Sequence, residues 1–197
     1  HSKMREHGVH KEKGWEDDWD MARPERKDIT SLKALTQELR FPNSASEITL
    51  LILRFASDIF QRGVLFIVGD AEIVGLGQFG LNIEGADEKI RQIRLDYRES
   101  PFLHGIIQEK RPYKGAMTHD NVTEVMLNEI GAGWPDEVAC FPIIAEGRVV
   151  ALLYCDNSLT KESSGETEGL EIFIDQAGIA LEKSLLQRRI QDMEQKN

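Results

Sequence analysis

Cysteine is scarce: the 197 residues hold two, Cys140 and Cys155, too few for a disulfide framework. No run approaches the ~18 consecutive apolar residues of a membrane span. The N-terminus also lacks the basic start, apolar stretch and small-residue cleavage site of a secretory leader, so the expected setting is the cytoplasm. Basic charge is in deficit, with 24 Lys+Arg against 34 Asp+Glu, a net charge of −10 and no local basic patch. That balance argues against nucleic acid and anionic membranes as partners. Internal repeats and low-complexity tracts are absent. What remains, 41% hydrophobic and 29% charged residues, suits one globular domain with appendages. The opening His1-Ser2-Lys3 reads as a piece of a longer protein whose function depends on its neighbours.

Residues 1–28 mix seven basic and eight acidic side chains with Trp15 and Trp19 and show no apolar period, as a linker or tail does. An N-terminal helical segment over 29–43 follows, with Ile29, Leu32, Leu35 and Leu39 at helical spacing and Pro42 ending it. Ser44 and Glu47 fit a capping box for a second helix whose apolar stripe is Ile48, Ile52, Phe55 and Ile59 and whose stop is Gly63. The pattern then switches to strands. Val64–Val68 and Ile73–Leu76 flank a turn, residues 80–89 read as a loop, and Ile93, Leu95 and Tyr97 alternate with polar residues. Ser100-Pro101 opens a short helix, Tyr113–Met117 reads as a short strand, and Val122–Ile130 as a helix.

Val138–Ala145 and Arg148–Cys155, joined at Glu146-Gly147, are apolar on both parities, so this hairpin must lie in mid-sheet with both faces covered. Counting back from a two-residue turn sets Cys140 opposite Leu153 and Cys155 opposite Val138, which puts both thiols diagonally on one sheet face. Ser163 and Glu166 fit another capping box. The helix it opens carries Leu170, Ile174, Ala177, Leu181 and Leu185 and extends past residue 190. Beyond its domain-facing stripe, residues 187–197 form a polar helical extension that needs support from a second copy or from the first helix.

Gly75-Leu76-Gly77-Gln78-Phe79-Gly80 has the spacing of a dinucleotide-binding turn, but no helix opens behind it to hold pyrophosphate. These glycines instead relax a strand edge or let backbone approach a ligand. The cysteines have no Lys, Arg or His beside them to favour a thiolate and read as buried structural thiols. His119-Asp120 lacks the further partners a structural metal site requires, so no metal is expected.

The order of elements, with Val138-Ala139-Cys140-Phe141-Pro142-Ile143-Ile144 and Gly147-Arg148-Val149-Val150-Ala151-Leu152-Leu153-Tyr154, resembles a GAF domain over residues 44–186. Arg54-Phe55-Ala56-Ser57-Asp58 with Gly63-Val64-Leu65-Phe66 resembles GAF modules attached to bacterial response-regulator or sensor assemblies. The resemblance implies an α+β fold: a central antiparallel sheet of five to six strands, N- and C-terminal helices on one face, and a pocket covered by loops and short helices on the other. Asp156-Asn157-Ser158 departs from the N-K…F…D-E signature of the cyclic-nucleotide-binding members, and no Cys-His dipeptide offers a bilin attachment point.

On the segments that cover the second face in this family stand Phe102, His104, Tyr113, Met117, His119, Asp120 and Trp134, apolar walls with a few polar groups, as small-molecule sites have. The implied function is non-catalytic: a sensory domain that binds an unidentified small molecule or a partner and relays the event through its terminal helices to attached signalling domains. A homodimer through those helices is expected. The alternatives are a dimerisation scaffold whose pocket is filled by its own side chains and, behind it, a redox role for Cys140 and Cys155.

Overall fold

A computed structural model describes residues 26–40, 43–131, 133–160 and 165–197. The expected tail with Trp15 and Trp19, and Pro42 and Ser163, lie outside the described residues. The elements are α1 (Lys27–Glu38), α2 (Ala45–Ser57), β1 (Arg62–Val68), β2 (Glu72–Phe79), α3 (Ala86–Arg91), β3 (Arg94–Asp96), a 3-10 turn (Tyr97–Glu99), α4 (Pro101–Glu109), β4 (Tyr113–Gly115), α5 (Asn121–Glu129), β5 (Val138–Ala145), β6 (Arg148–Asp156) and α6 (Glu168–Gln195). The six strands form one sheet in the order β3-β2-β1-β6-β5-β4, every pair antiparallel. No described helix is long and apolar enough to cross a membrane.

The apolar runs on both parities of β1, β5 and β6 follow from their central position, because each face of the sheet carries its own core. One face is packed by α1, α2 and α6: Leu35, Ile52, Phe55, Phe173 and Leu181 meet Leu65, Phe141 and Leu153. The Phe55 and Phe173 rings stack with centroids 5.1 Å apart. On the other face α3, α4 and α5 bring Ile90, Phe102, Leu103, Ile106, Met126 and Leu127 onto Phe66, Cys140, Leu152 and Tyr154. The α+β arrangement expected from the sequence is therefore present, with terminal helices on one face and short helices and loops on the other.

Three local expectations are corrected. Part of the segment expected as a loop over 80–89 folds into α3, which opens at Gly85 in the left-handed region (φ 64°). Gly75 makes room for it: a Cβ there would lie 1.9 Å from the Ile90 carbonyl oxygen. The backbone that Gly75 admits thus belongs to the protein itself, while Gly77 makes room for the Leu53 side chain.

The two cysteines do not share a sheet face. A bulge between Ile143 and Ile144 shifts the register by one, so Cys140 stands opposite Tyr154 and Cys155 opposite Ala139. With a side-chain period of two, one extra residue in β6 sends the thiols to opposite faces, Cys140 to the α4–α5 side and Cys155 to the α6 side.

Helix α6 starts at Glu168, later than a Ser163 cap would place it, and its N-cap residue Thr167 makes no side-chain cap bond. The cap comes from another helix instead. Asp28 Oδ2 accepts a hydrogen bond from Gly169 N at 3.1 Å, and a Cβ on residue 169 would lie 2.6 Å from the Asp28 carbonyl oxygen. Burial alone would raise the Asp28 carboxyl; the Arg26 guanidinium and the Gly169 N–H outweigh it and hold the group below the usual carboxylate range.

Candidate functional site

The second face owes its shape to two helix N-termini fastened together. Ser100 Oγ accepts from Leu103 N at 3.1 Å, capping α4, and donates to Asp120 Oδ2 at 2.7 Å. Asp120 Oδ1 accepts from Thr123 N at 2.8 Å, while Thr123 Oγ1 accepts from Asp120 N at 3.0 Å, which completes a capping box on α5. Ser100 and Thr123 are both fully buried, and Asp120, which joins them, is half-buried at the edge of the layer.

Around it the seven residues expected at a pocket fall into two groups. Phe102 and Met117 are buried in the second core, and Tyr113 and Trp134 pack against it from partly buried positions. Phe102 and Tyr113 meet edge to face with ring centroids 5.1 Å apart. His119 is exposed and stacks flat on Trp134, centroids 3.3 Å apart and planes 10° from parallel, with its Nδ1 3.9 Å from a Glu124 carboxylate oxygen. His104 is half-buried, its ring 6.3 Å from that of Tyr97. Apolar floor, aromatic walls and a polar rim thus share one side of the sheet. A cavity of about 280 Å³ opens elsewhere, between α1 and α6, where Thr36, Leu39, Gln176, Ile179 and Lys183 are among its lining residues.

Sequence reasoning missed a buried charged cluster on the same face. Arg62 donates through Nε to Asp156 Oδ1 at 2.6 Å and through Nη2 to Asp156 Oδ2 at 2.9 Å, with the two side chains 4% and 0% exposed. The Tyr154 hydroxyl also donates to Asp156, and Ser158 N donates to its Oδ1 at 3.0 Å. Burial and then the neighbouring carboxylate push the Tyr154 phenol well above its usual range. The same two causes push the Cys140 thiol up to about 12, and Cys155 is likewise raised, first by burial. Both thiols are therefore protonated near neutral pH. One signal was available: Tyr154 and Asp156 share a parity in β6. A charge closing an apolar strand, however, ordinarily marks the point where the strand meets water.

The β5–β6 turn joins the two layers around the end of the sheet. Lys110 caps α4 in the left-handed region and donates from Nζ to the Gly147 carbonyl at 2.6 Å. From the other side, Glu182 of α6 accepts from Glu146 N, and Arg189 grips the Glu146 carboxylate with two bonds of 2.9 and 3.1 Å. Exposed pairs of this kind contribute about 0–1 kcal/mol, so their role is positional.

No protein-family model matches the chain, and no curated protein sequence does. Solved structures do. The GAF domain of a phosphoenolpyruvate-protein phosphotransferase from Coxiella burnetii is 20% identical over 85% of this chain and 97% of that one, with a TM-score of 0.59. A phycoerythrobilin-bound GAF domain from a cyanobacterial phytochrome is 12% identical over 82% and 98%, with a TM-score of 0.60. The second GAF domain of DevS from Mycobacterium smegmatis is 15% identical over 75% and 99%, with a TM-score of 0.55. At such identities the likeness is one of fold, and the chain has the GAF fold.

Proposed function

We propose that this chain is a non-catalytic regulatory domain of a bacterial cytoplasmic signalling protein, taking a small molecule on the sheet face covered by α4 and α5. Phe102, His104, Tyr113, Met117, His119, Asp120 and Trp134 are its contact residues. The observation that carries the reading is the division of side chains on that face: an apolar floor beneath a rim where His119 lies on Trp134 and half-buried His104 is tilted 6.3 Å from the Tyr97 ring. Such a composition recognises a flat, mostly apolar molecule with a few polar atoms. It is also a phycoerythrobilin-bound structure that the fold resembles. The event leaves the layer through Lys110 and the β5–β6 turn, which α6 holds from the opposite face. The terminal helices then pass it to attached signalling domains, with a second copy as the partner that supports them.

A thermal-shift screen of small metabolites tests the reading on the wild type, Tyr113→Ala and Trp134→Ala. A compound that stabilises the wild type should lose most of that effect in both variants. Equal stabilisation of all three would remove the assignment. A second reading, a dimerisation scaffold that takes no ligand, is favoured by one observation: Phe102 and Met117 are 9% and 3% exposed, packed among side chains of the protein's own second core. Under that reading no compound stabilises the wild type while the dimer persists.

A further inference from the structure

The cavity between α1 and α6 differs in charge from the surface around it. Its floor is apolar: Leu39 and Ala180 pack against the first core from partly buried positions, and exposed Ile179 lies beside them. Two cations line it, Arg40 just past the end of α1 and Lys183 on α6, and no acidic side chain does. Among the described residues neither cationic side chain has an ion-pair or hydrogen-bond partner, although seven other arginines are ion-paired. Three further hollows on the surface all carry carboxylates, Asp58, Asp28 and Glu171 among them. In a chain of net charge −10, a concave apolar patch with two unpaired cations and no acid is a local inversion of the field.

We propose that this cavity is a second small-molecule site, for a free monocarboxylic acid with a compact aromatic or branched apolar body. The carboxylate supplies the counter-charge that Arg40 and Lys183 lack, and the guanidinium offers it a paired set of donors. Thr36 Oγ1 donates to Gln176 Oε1 at 3.2 Å, which fixes that amide and leaves its Nε2 donors for a ligand oxygen. The apolar body covers Leu39, Ile179 and Ala180. A volume of about 280 Å³ suits a ligand of about ten non-hydrogen atoms, and that size favours a free acid over an acidic protein segment. The site would act directly on the terminal helices. At one end Asp28 already ties α1 to α6 through Gly169 N, and an acid held from both helices adds a tie towards the other end, without passing through the sheet. It is therefore independent of the site under α4 and α5.

Amide NMR of the whole chain, titrated with phenylacetate and with its neutral isostere phenylacetamide, tests the proposal. The backbone signals of Leu39, Arg40, Ile179 and Lys183 and the side-chain amide of Gln176 should move together with phenylacetate and saturate. Both charges are exposed and screened, so the expected dissociation constant is about 0.1–1 mM at low salt, weakening severalfold in about 0.5 M NaCl. Phenylacetamide should bind at least about fivefold more weakly, and Arg40→Gln and Lys183→Gln, both at exposed positions, should each weaken phenylacetate by a similar factor with the rest of the spectrum unchanged. Tyr113→Ala and Trp134→Ala should leave the constant as it is. Equal binding of acid and amide, or an unchanged constant in both charge variants, overturns the carboxylate assignment. Shifts that gather instead around Tyr113 and Trp134 and vanish in those variants overturn the second site while supporting the first. No saturation up to about 10 mM overturns the site outright, including the cases where residues 1–25 of the same chain or a second copy occupy the cavity.

Discussion

Breaking the Arg62–Asp156 pair is the sharpest perturbation available in this domain. Both side chains are out of contact with water, the geometry is bidentate, and Asp156 also accepts from the Tyr154 hydroxyl and Ser158 N. Asp156→Asn keeps an acceptor for one of those last two groups, turns a donor toward the other, and leaves the guanidinium charge buried without a counter-charge. That costs about 3–5 kcal/mol. In a domain of this length it corresponds to a melting temperature lower by about 6–20 °C. Arg62→Met strands the carboxylate in the same way and should cost a similar amount. The double variant Arg62→Met/Asp156→Asn buries no net charge, so it should be less destabilised than the sum of the singles by about 2 kcal/mol or more. Urea unfolding of the four proteins closes the cycle. Additive single effects, or singles that each cost under about 1 kcal/mol, would refute the view that the pair acts as one buried unit.

Three further outcomes follow from the described contacts. Because the Asp28 carboxyl is held below its unfolded value by Arg26 and Gly169 N, its contribution is complete above about pH 5 and is lost as pH falls through the folded-state value. The stability gap between wild type and Asp28→Asn, read by denaturant titration, should be flat from about pH 5 to 7 and shrink below about pH 4; a gap unchanged at about pH 2 would contradict this. Cys140 and Cys155 should react with a bulky maleimide only as fast as the domain opens, and Cys140→Ser should cost about 1–3 kcal/mol; rapid native-state labelling of both would revive a redox role. Gly178→Ala puts a Cβ 2.2 Å from the Ile144 carbonyl oxygen where α6 crosses β5, so it should destabilise by about 1–3 kcal/mol despite the better helix propensity of alanine, and a neutral melt would mean the helix moves freely there.

Periodicity carried most of the architecture. The doubly apolar hairpin at 138–155 could only be central, and the stripes of α2 and α6 named the helices that cover one face. What the sequence concealed came from contacts far apart along the chain. A bulge at Ile143/Ile144 has no local marker in an unbroken apolar strand, yet it reverses which face each cysteine takes. The cap of α6 sits 141 residues away on Asp28, so a nearby Ser-x-x-Glu was the stronger local signal and the wrong one. At the candidate site, the resemblance gave the segments, and residue type within them suggested Tyr113, Trp134, His119 and Asp120. That Asp120 is engaged as the cap of α5, and that His119 lies on Trp134, depends on how the loops before α5 and β5 approach each other. Arg62 and Asp156 stayed hidden because strand-end charges look like surface until the neighbouring strand places them opposite each other.

Native mass spectrometry of the freshly purified chain, compared with the same sample denatured, tests the sensory reading most directly. The expected result is a non-covalent small-molecule adduct on the wild type that is released on denaturation and is absent or much reduced in Tyr113→Ala and Trp134→Ala. An adduct retained equally by both variants would contradict the site. A wild type that carries no adduct and gains none from any compound in the thermal-shift screen would contradict ligand sensing and leave the scaffold.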